Sequence, residues 1–400
     1  MEITRRFSLL VGGSLGLISL LVILILTFQL IPPVPEESSP TALTHAPTSS
    51  SIPITPQTVP SPTPTSGPLS LLSTGGSPPP SKKWAIPTGD AVDSSPTVVN
   101  GVVYVGSKDY NIYAIGVSTG QKIWTFSTAG SVYSSPIVVN GILYVGSFDD
   151  KIYAIDANTG LLKWVFSTLG NVYSSPTVAN GVVYVGSNDD KIYAIDANTG
   201  LLKWTFLTGN WVASSPIVVN GVVYVGSNDD KIYAIDANTG LLKWAFPAGG
   251  AVSSSPTVVN GVLYVSSDDD KIYAIDASTG LLKWVFPTGN AVESLSTVVN
   301  GVLYVGSLDN NVYAIDASTG LLKWAFPTAG HVYSSPTVVN GVLYVGSLDN
   351  NVYAIDVTTG LLKWAFPTIG GVYSSPRVDN GVLYIGSGDG KIYALTLLGS

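Results

Sequence analysis

The sequence predicts an all-β fold, an eight-bladed β-propeller of four-stranded blades over residues 82–400, preceded by one transmembrane helix and a disordered linker. Three observations carry this. Tryptophan recurs at Trp84, Trp124, Trp164, Trp204, Trp244, Trp284, Trp324 and Trp364 with a strict spacing of 40. A period of that length marks a solenoid, a propeller or an array. Each unit contains four short runs rich in Val, Ile, Tyr and Trp, with turn signals between them. Finally, the repeats open on a fourth strand that has no predecessor and end on a unit that lacks one.

The elements follow in chain order. Residues 1–6 form a short cytoplasmic N-terminus. From Phe7 to Ile31 no residue is charged, a run long enough to cross a bilayer core as one helix. Arg5 and Arg6 precede it and Glu36 and Glu37 follow, which keeps the N-terminus inside. The run exceeds the apolar region of a cleavable signal and lacks a small-x-small site. An uncleaved signal anchor over 7–31 is therefore expected, with a cleaved signal as the alternative. Residues 32–81 contain 14 of the chain's 26 prolines among Ser and Thr. That composition buries too little apolar surface to offset ordering entropy, and it predicts an extended stalk or a passive linker.

Within each unit, "PTVV" leads through Asn-Gly, the strongest two-residue hairpin signal, into "VLYVGS". A tight turn such as "NDDK" precedes "IYAID". "ANTG" or "ASTG" then leads to the closing strand "LLKWAF". The units are nearly identical, and Asn180–Trp204 repeats without change as Asn220–Trp244. Near-continuous apolar strands predict sheets covered on both faces, as in stacked blades. The orphan strand Lys82–Pro87 is expected to pair with Lys391–Leu395 and complete the eighth blade, which removes two exposed edges.

The segment "AIDANTGLLKW" at Ala154–Trp164 resembles the tryptophan-docking motif A-x-D-x-x-T-G-x-x-x-W of quinoprotein dehydrogenases, and most other units carry an equivalent. Non-enzymatic relatives share the motif, among them the outer-membrane barrel-assembly lipoprotein B and bacterial sensor propellers. The resemblance implies that each Trp wedges between blades, that Thr-Gly forms a turn, and that the Asp caps it. Gly116 and Thr396 replace the Asp in the first and last units, where looser turns are expected. Enzymes of the family carry long inserted loops, often a vicinal Cys pair, and Asp, Glu or Asn ligands for calcium. This chain has uninterrupted 40-residue spacing and no cysteine.

Composition narrows the function further. A net charge of −8 and only three arginines exclude a basic nucleic-acid surface. Without cysteine there is no thiolate metal site, disulfide, cysteine nucleophile or lipidated Cys. Differences between units concentrate in the loop from fourth to first strand and the turn from second to third strand, which share one end of a propeller. That end presents Asp90, Asp93, Tyr133, Tyr173, Trp211, Glu293, His331, Tyr333 and Tyr373 around the channel mouth, a set suited to a peptide, glycan or small polar ligand. Drift on tolerant loops, with the tyrosines packing between blades, is the structural alternative. His331 with Glu293 or Asp93 forms a weak acid–base set, because the residues belong to different blades. Asp runs such as Asp268-Asp269-Asp270 supply too few ligands for calcium and suit turns for backbone reasons. Arg377 and Asp379 are expected to form an ion pair on the last inner strand.

These readings predict a monomeric, single-pass protein of the bacterial cytoplasmic membrane. Its propeller lies on the extracytoplasmic side and binds protein, peptide or glycan partners without catalysis, cofactor or metal. The alternatives are a dehydrogenase using pyrroloquinoline quinone and calcium, and a structural or self-associating array.

Overall fold

The computed structural model describes residues 78–397. The expected anchor over 7–31 and almost all of the Pro-rich stretch lie outside these residues. No helix among the described residues is long and apolar enough to cross a membrane.

The described residues form eight four-stranded antiparallel sheets. The first blade joins β2 (Thr97–Val99), β3 (Val102–Gly106), β4 (Asn111–Gly116) and β5 (Lys122–Ser127) in sequence order. The last blade joins β30 (Arg377–Asp379), β31 (Val382–Ser387) and β32 (Lys391–Thr396) to β1 (Ser81–Pro87). The register of that closure runs from Ser81 opposite Thr396 to Pro87 opposite Lys391. This is the pairing expected from the two chain ends, extended by one residue at each strand's outer end.

The first hairpin of each blade turns on Asn-Gly with both residues left-handed, as at Asn100 (φ 50) and Gly101 (φ 76). That is the primed geometry whose twist matches the flanking strands, and Asn and Gly tolerate it best. The second and third strands are buried on both faces, as the apolar runs predict. The outer strands differ, alternating exposed and half-buried residues because only one of their faces meets a neighbouring blade.

Blades are cemented by the residues of the docking motif. Trp124 Nε1 and Tyr104 Oη of the first blade both donate to the Ala157 carbonyl of the second, at 2.9 and 3.0 Å. Seven of the eight motif tryptophans make this inter-blade bond. Each ring also lies on the motif glycine of the next blade. A Cβ on Gly160 would sit 2.9 Å from the Trp124 ring, so only glycine fits. Asp156 caps its turn, accepting from the Thr159 amide and hydroxyl at 3.1 and 3.0 Å. The turn at Gly116 is not looser, contrary to expectation. It keeps both backbone bonds, from Gly116 N to Gln121 O at 2.9 Å and from Gly120 N to Gly116 O at 2.8 Å. The main chain closes the turn, and the Asp carboxylate only reinforces it.

Candidate functional site

The channel is walled by the loops entering the innermost strands. Its wall carries a belt of hydrogen bonds from the backbone N–H of one blade to a serine hydroxyl of the next. Ser95 donates to Ser135, Ser135 to Ser175, Ser175 to Ser215 and Ser215 to Ser255, each at 2.9 Å. Leu295 donates to Ser335, Ser335 to Ser375, and Ser375 back to Ser95. The belt skips one step: Ser255 faces Leu295, which has no hydroxyl.

Above the belt, two loops of each blade meet through a repeated backbone bond. Lys108 N donates to Ala91 O at 2.9 Å, and the equivalent bond recurs in all eight blades. An invariant aspartate then locks the second turn. Asp109 accepts from the Tyr113 hydroxyl at 2.6 Å, from Gly89 N at 2.6 Å and from Asn111 N at 3.0 Å. Burial works against its charge, but these bonds win and hold its carboxyl below the usual range. Burial and the same bond raise the Tyr113 hydroxyl. The aspartates repeated in these turns are therefore engaged within their own blades. Among the described residues, no group of three or more His, Asp or Glu side chains converges in a way that could hold a metal ion.

With the repeated backbone bond and the invariant aspartate holding the loops in every blade, three further side-chain positions are where the units differ. One position, at the mouth, reads Asp93, Tyr133, Tyr173, Ala213, Ser253, Glu293, Tyr333 and Tyr373 around the ring. The second includes Trp211 and His331, and the third includes Lys108, Phe148, Asn188 and Asp268. A cavity of about 360 Å³ opens among Asp93, Tyr133, Tyr173, Trp211, Glu293, Tyr333 and Tyr373, with Asn188, Ala213 and Ser253 completing its wall. Seven of the nine residues expected at the mouth thus meet in one cavity.

Asp90 does not join them. It lies in a separate crevice with Thr88, Gly89 and Gly390, and its carboxylate accepts from Ala91 N at 2.6 Å. His331 lies beside Tyr333, ring centroids 6.4 Å apart, without lining the cavity. Arg377 and Asp379 form no ion pair. Asp379 instead takes a bond from Asn380 at 3.0 Å, while Arg377 is exposed. Lys108 and Phe148 also reach the mouth: their turn position varies between units, but only the fold sets it beside a residue 15 positions earlier, Asp93 or Tyr133.

The aromatic groups form two arcs. Tyr133 stacks on Tyr173 at 5.5 Å and against Phe148 at 4.5 Å, and Tyr333 meets Tyr373 at 5.1 Å. Between the arcs Lys108 pairs with Asp93 at 2.8 Å, its ammonium 5.1 Å from the Tyr133 ring centre and 5.9 Å from that of Tyr373. Burial opposes its charge, yet the bond to Asp93 raises its pKa. On the other side burial, and then Asp268, raises the Glu293 carboxyl above the usual glutamate range. Burial, then the charges of Glu293 and Asp93, pushes the Tyr173 hydroxyl up to about 12.

Fold and mouth together define a class: a closed eight-bladed propeller with tryptophan-docked blades and a variable, tyrosine-lined cavity at one end of its channel. Within that class, the chain belongs to the family of outer membrane protein assembly factor BamB, whose profile matches residues 111–216, 210–300 and 287–400. No curated protein sequence matches it significantly. BamB from Moraxella catarrhalis is similar in structure at 21% identity and a TM-score of 0.70, covering 80% of this chain and all of its own. The computationally designed Ika8 protein aligns at 16% identity and a TM-score of 0.72, covering 79% of this chain and 100% of its own. The quinohemoprotein alcohol dehydrogenase of Comamonas testosteroni aligns at 17% identity and a TM-score of 0.69, over 80% of this chain and 76% of the enzyme. At these identities the structural likeness speaks to fold.

Proposed function

We propose that the propeller is a non-catalytic binding or scaffold module that engages a protein partner through the variable end of its channel. One observation carries this reading: side chains that the fold does not need diverge at this mouth, while the turns at the other end of the blades stay nearly constant. Tyrosine and tryptophan are favoured at such surfaces because they bury large area at little entropic loss. The family's description as an outer membrane protein assembly factor agrees with a protein partner at a membrane. In this reading residues 7–31 tether the propeller on the extracytoplasmic side of a bacterial membrane, and the Pro-rich segment spaces it from the surface.

Pyrroloquinoline quinone does not suit the mouth. The quinone carries three carboxylates, and no cationic side chain lines the cavity; the lysine beside it, Lys108, is already paired with Asp93, while Glu293 and the nearby Asp268 are acids. Calcium would find no converging trio of ligands among the described residues.

Photo-crosslinking tests the proposal. A photoreactive residue is placed in the full chain at Ala213 in the mouth, or at Asn260 in an Asn-Gly turn. Adducts are expected from the mouth alone, and they should vanish when Tyr133, Tyr173, Tyr333 and Tyr373 are all changed to Ala. Equal adducts from both ends, or dye-linked oxidation of an alcohol in the presence of pyrroloquinoline quinone and calcium, would reject it.

A further inference from the structure

The mouth holds a carboxylate followed by a tyrosine on the next blade twice, once with a cation beside it and once without. On the side with the cation, the carboxylate of Asp93 and the rings of Tyr133 and Tyr373 surround the Lys108 ammonium. A cation is attracted both by the carboxylate and by the negative faces of the rings. On the other side Glu293 stands at the position equivalent to Asp93, with Tyr333 on the following blade and Asp268 at the second turn of the preceding one. Neither the lysine nor the second ring recurs there: Ser253 stands where Tyr373 stands beside Asp93. The residue of the Glu293 blade that corresponds to Lys108 is Leu308, and on the preceding blade it is a further acid, Asp268. Glu293 has no ion-pair partner within 4.0 Å among the described residues.

We infer that Glu293 and Tyr333, with Tyr173 in the same cavity close enough to feel the Glu293 charge, form a seat for a cationic side chain, the lysine ammonium or arginine guanidinium of a partner polypeptide, held by a carboxylate and tyrosine faces as Lys108 is. This rests on the reading of the mouth as a partner site and names the chemistry it selects. The cavity's dimensions agree. A volume of about 360 Å³ admits a long side chain but not a folded domain, so the partner must insert a protruding residue. The apolar stem would lie along tyrosine faces while the charged head meets Glu293, the usual division of a lysine or arginine side chain. The electrostatics agree as well: Asp268 lies close enough to raise the pKa of the buried Glu293, and neither carboxylate has an ion-pair partner among the described residues. The small residues Ala213 and Ser253 next to it leave room for the incoming chain, where other blades carry tyrosine.

The test compares two labelled pentapeptides on the full-length protein by fluorescence polarisation: Gly-Gly-Lys-Gly-Gly with capped ends, and the same peptide with norleucine, which keeps the stem and removes the charge. The lysine peptide is expected to bind at least about tenfold more tightly. Glu293→Gln should erase that preference. So should Ser253→Lys, which keeps Glu293 and places the protein's own ammonium in the seat at a position that tolerates five residue types across the blades. Free spermidine competing as well as the peptide would assign the seat to a small polyamine and overturn the polypeptide assignment. Equal binding of the two peptides, no binding of either, or an unchanged preference in Glu293→Gln overturns the inference. Mouth-specific crosslinks that persist in such a case would leave the partner-site proposal standing without its cation.

Discussion

Most buried polar residues in this molecule recur from blade to blade, and the copies are not all satisfied. Tyr104 gives its hydroxyl proton to a carbonyl of the next blade at 3.0 Å. Its counterpart Tyr384 is fully buried and finds no partner, although the corresponding Val117 carbonyl accepts only from Trp84, at 3.1 Å. Tyr104→Phe is therefore expected to lower stability by about 1 kcal/mol, whereas Tyr384→Phe should raise it by about the same amount. Paired urea titrations decide the matter, and equal losses would contradict it. The aspartates that bond tyrosine hydroxyls, such as Asp109, Asp189 and Asp229, have lowered pKa values despite burial. A lowered folded-state pKa stabilises the fold above the unfolded value and loses that contribution as pH falls through the folded one. Stability should thus hold down to about pH 5 and decline below about pH 4, as read by thermal melts across pH. Glu293 and Asp268 have raised values and act in the opposite sense, so their protonation cannot cause acid unfolding.

At the scale of the blade, irregularities gather at the junction between the fifth and sixth. Elsewhere a glycine allows the next blade to approach closely: a Cβ on Gly106 would lie 2.3 Å from Val132 Cγ1. Ser266 occupies the equivalent place in the fifth blade. The adjoining bond from Val292 N to Ser267 O lengthens to 3.4 Å, against 3.0 Å for Val132 N to Ser107 O. The Ser266 hydroxyl is also buried without a partner, and the serine belt breaks at Leu295 in the same junction. Ser266→Gly should relieve overpacking and raise stability by about 1 kcal/mol after glycine's entropic cost, as measured by denaturant unfolding. A loss of stability would show that the junction has adapted to the serine. Tyr110 is a second misfit, with φ 71 at a turn position that the other blades fill with Asp, Asn or Gly. Tyr110→Gly should add about 0.5–1 kcal/mol by removing that strain.

Over the whole molecule, the ring is held shut by β1 on β32 and by the bond from Ser375 N to Ser95 Oγ at 2.9 Å. Removing residues 81–87 would strip the last blade of its outer strand and bare the edge of β32. Near-identical blades then invite a second copy to supply the missing strand. The shortened protein is expected to melt at lower temperature and to form concentration-dependent dimers in light scattering. A monomer with an unchanged melting temperature would refute that role for β1.

What the sequence determined by itself is the part governed by repetition and local chemistry. Blade number follows from the tryptophan spacing, hairpin geometry from Asn-Gly, and closure from a strand missing at one end and spare at the other. Seven of the mouth residues were legible too, because near-identical units turn any difference into a signal. Tertiary structure alone decided the rest. It separated Asp90 and His331 from the cavity, since loop residues two or three apart can point to opposite sides of a wall. It brought Lys108 to Asp93 across two loops of one blade. It also gathered Ser266, Leu295, Asp268 and Glu293 at one junction, because propeller blades meet face to face between units that the chain lists one after another.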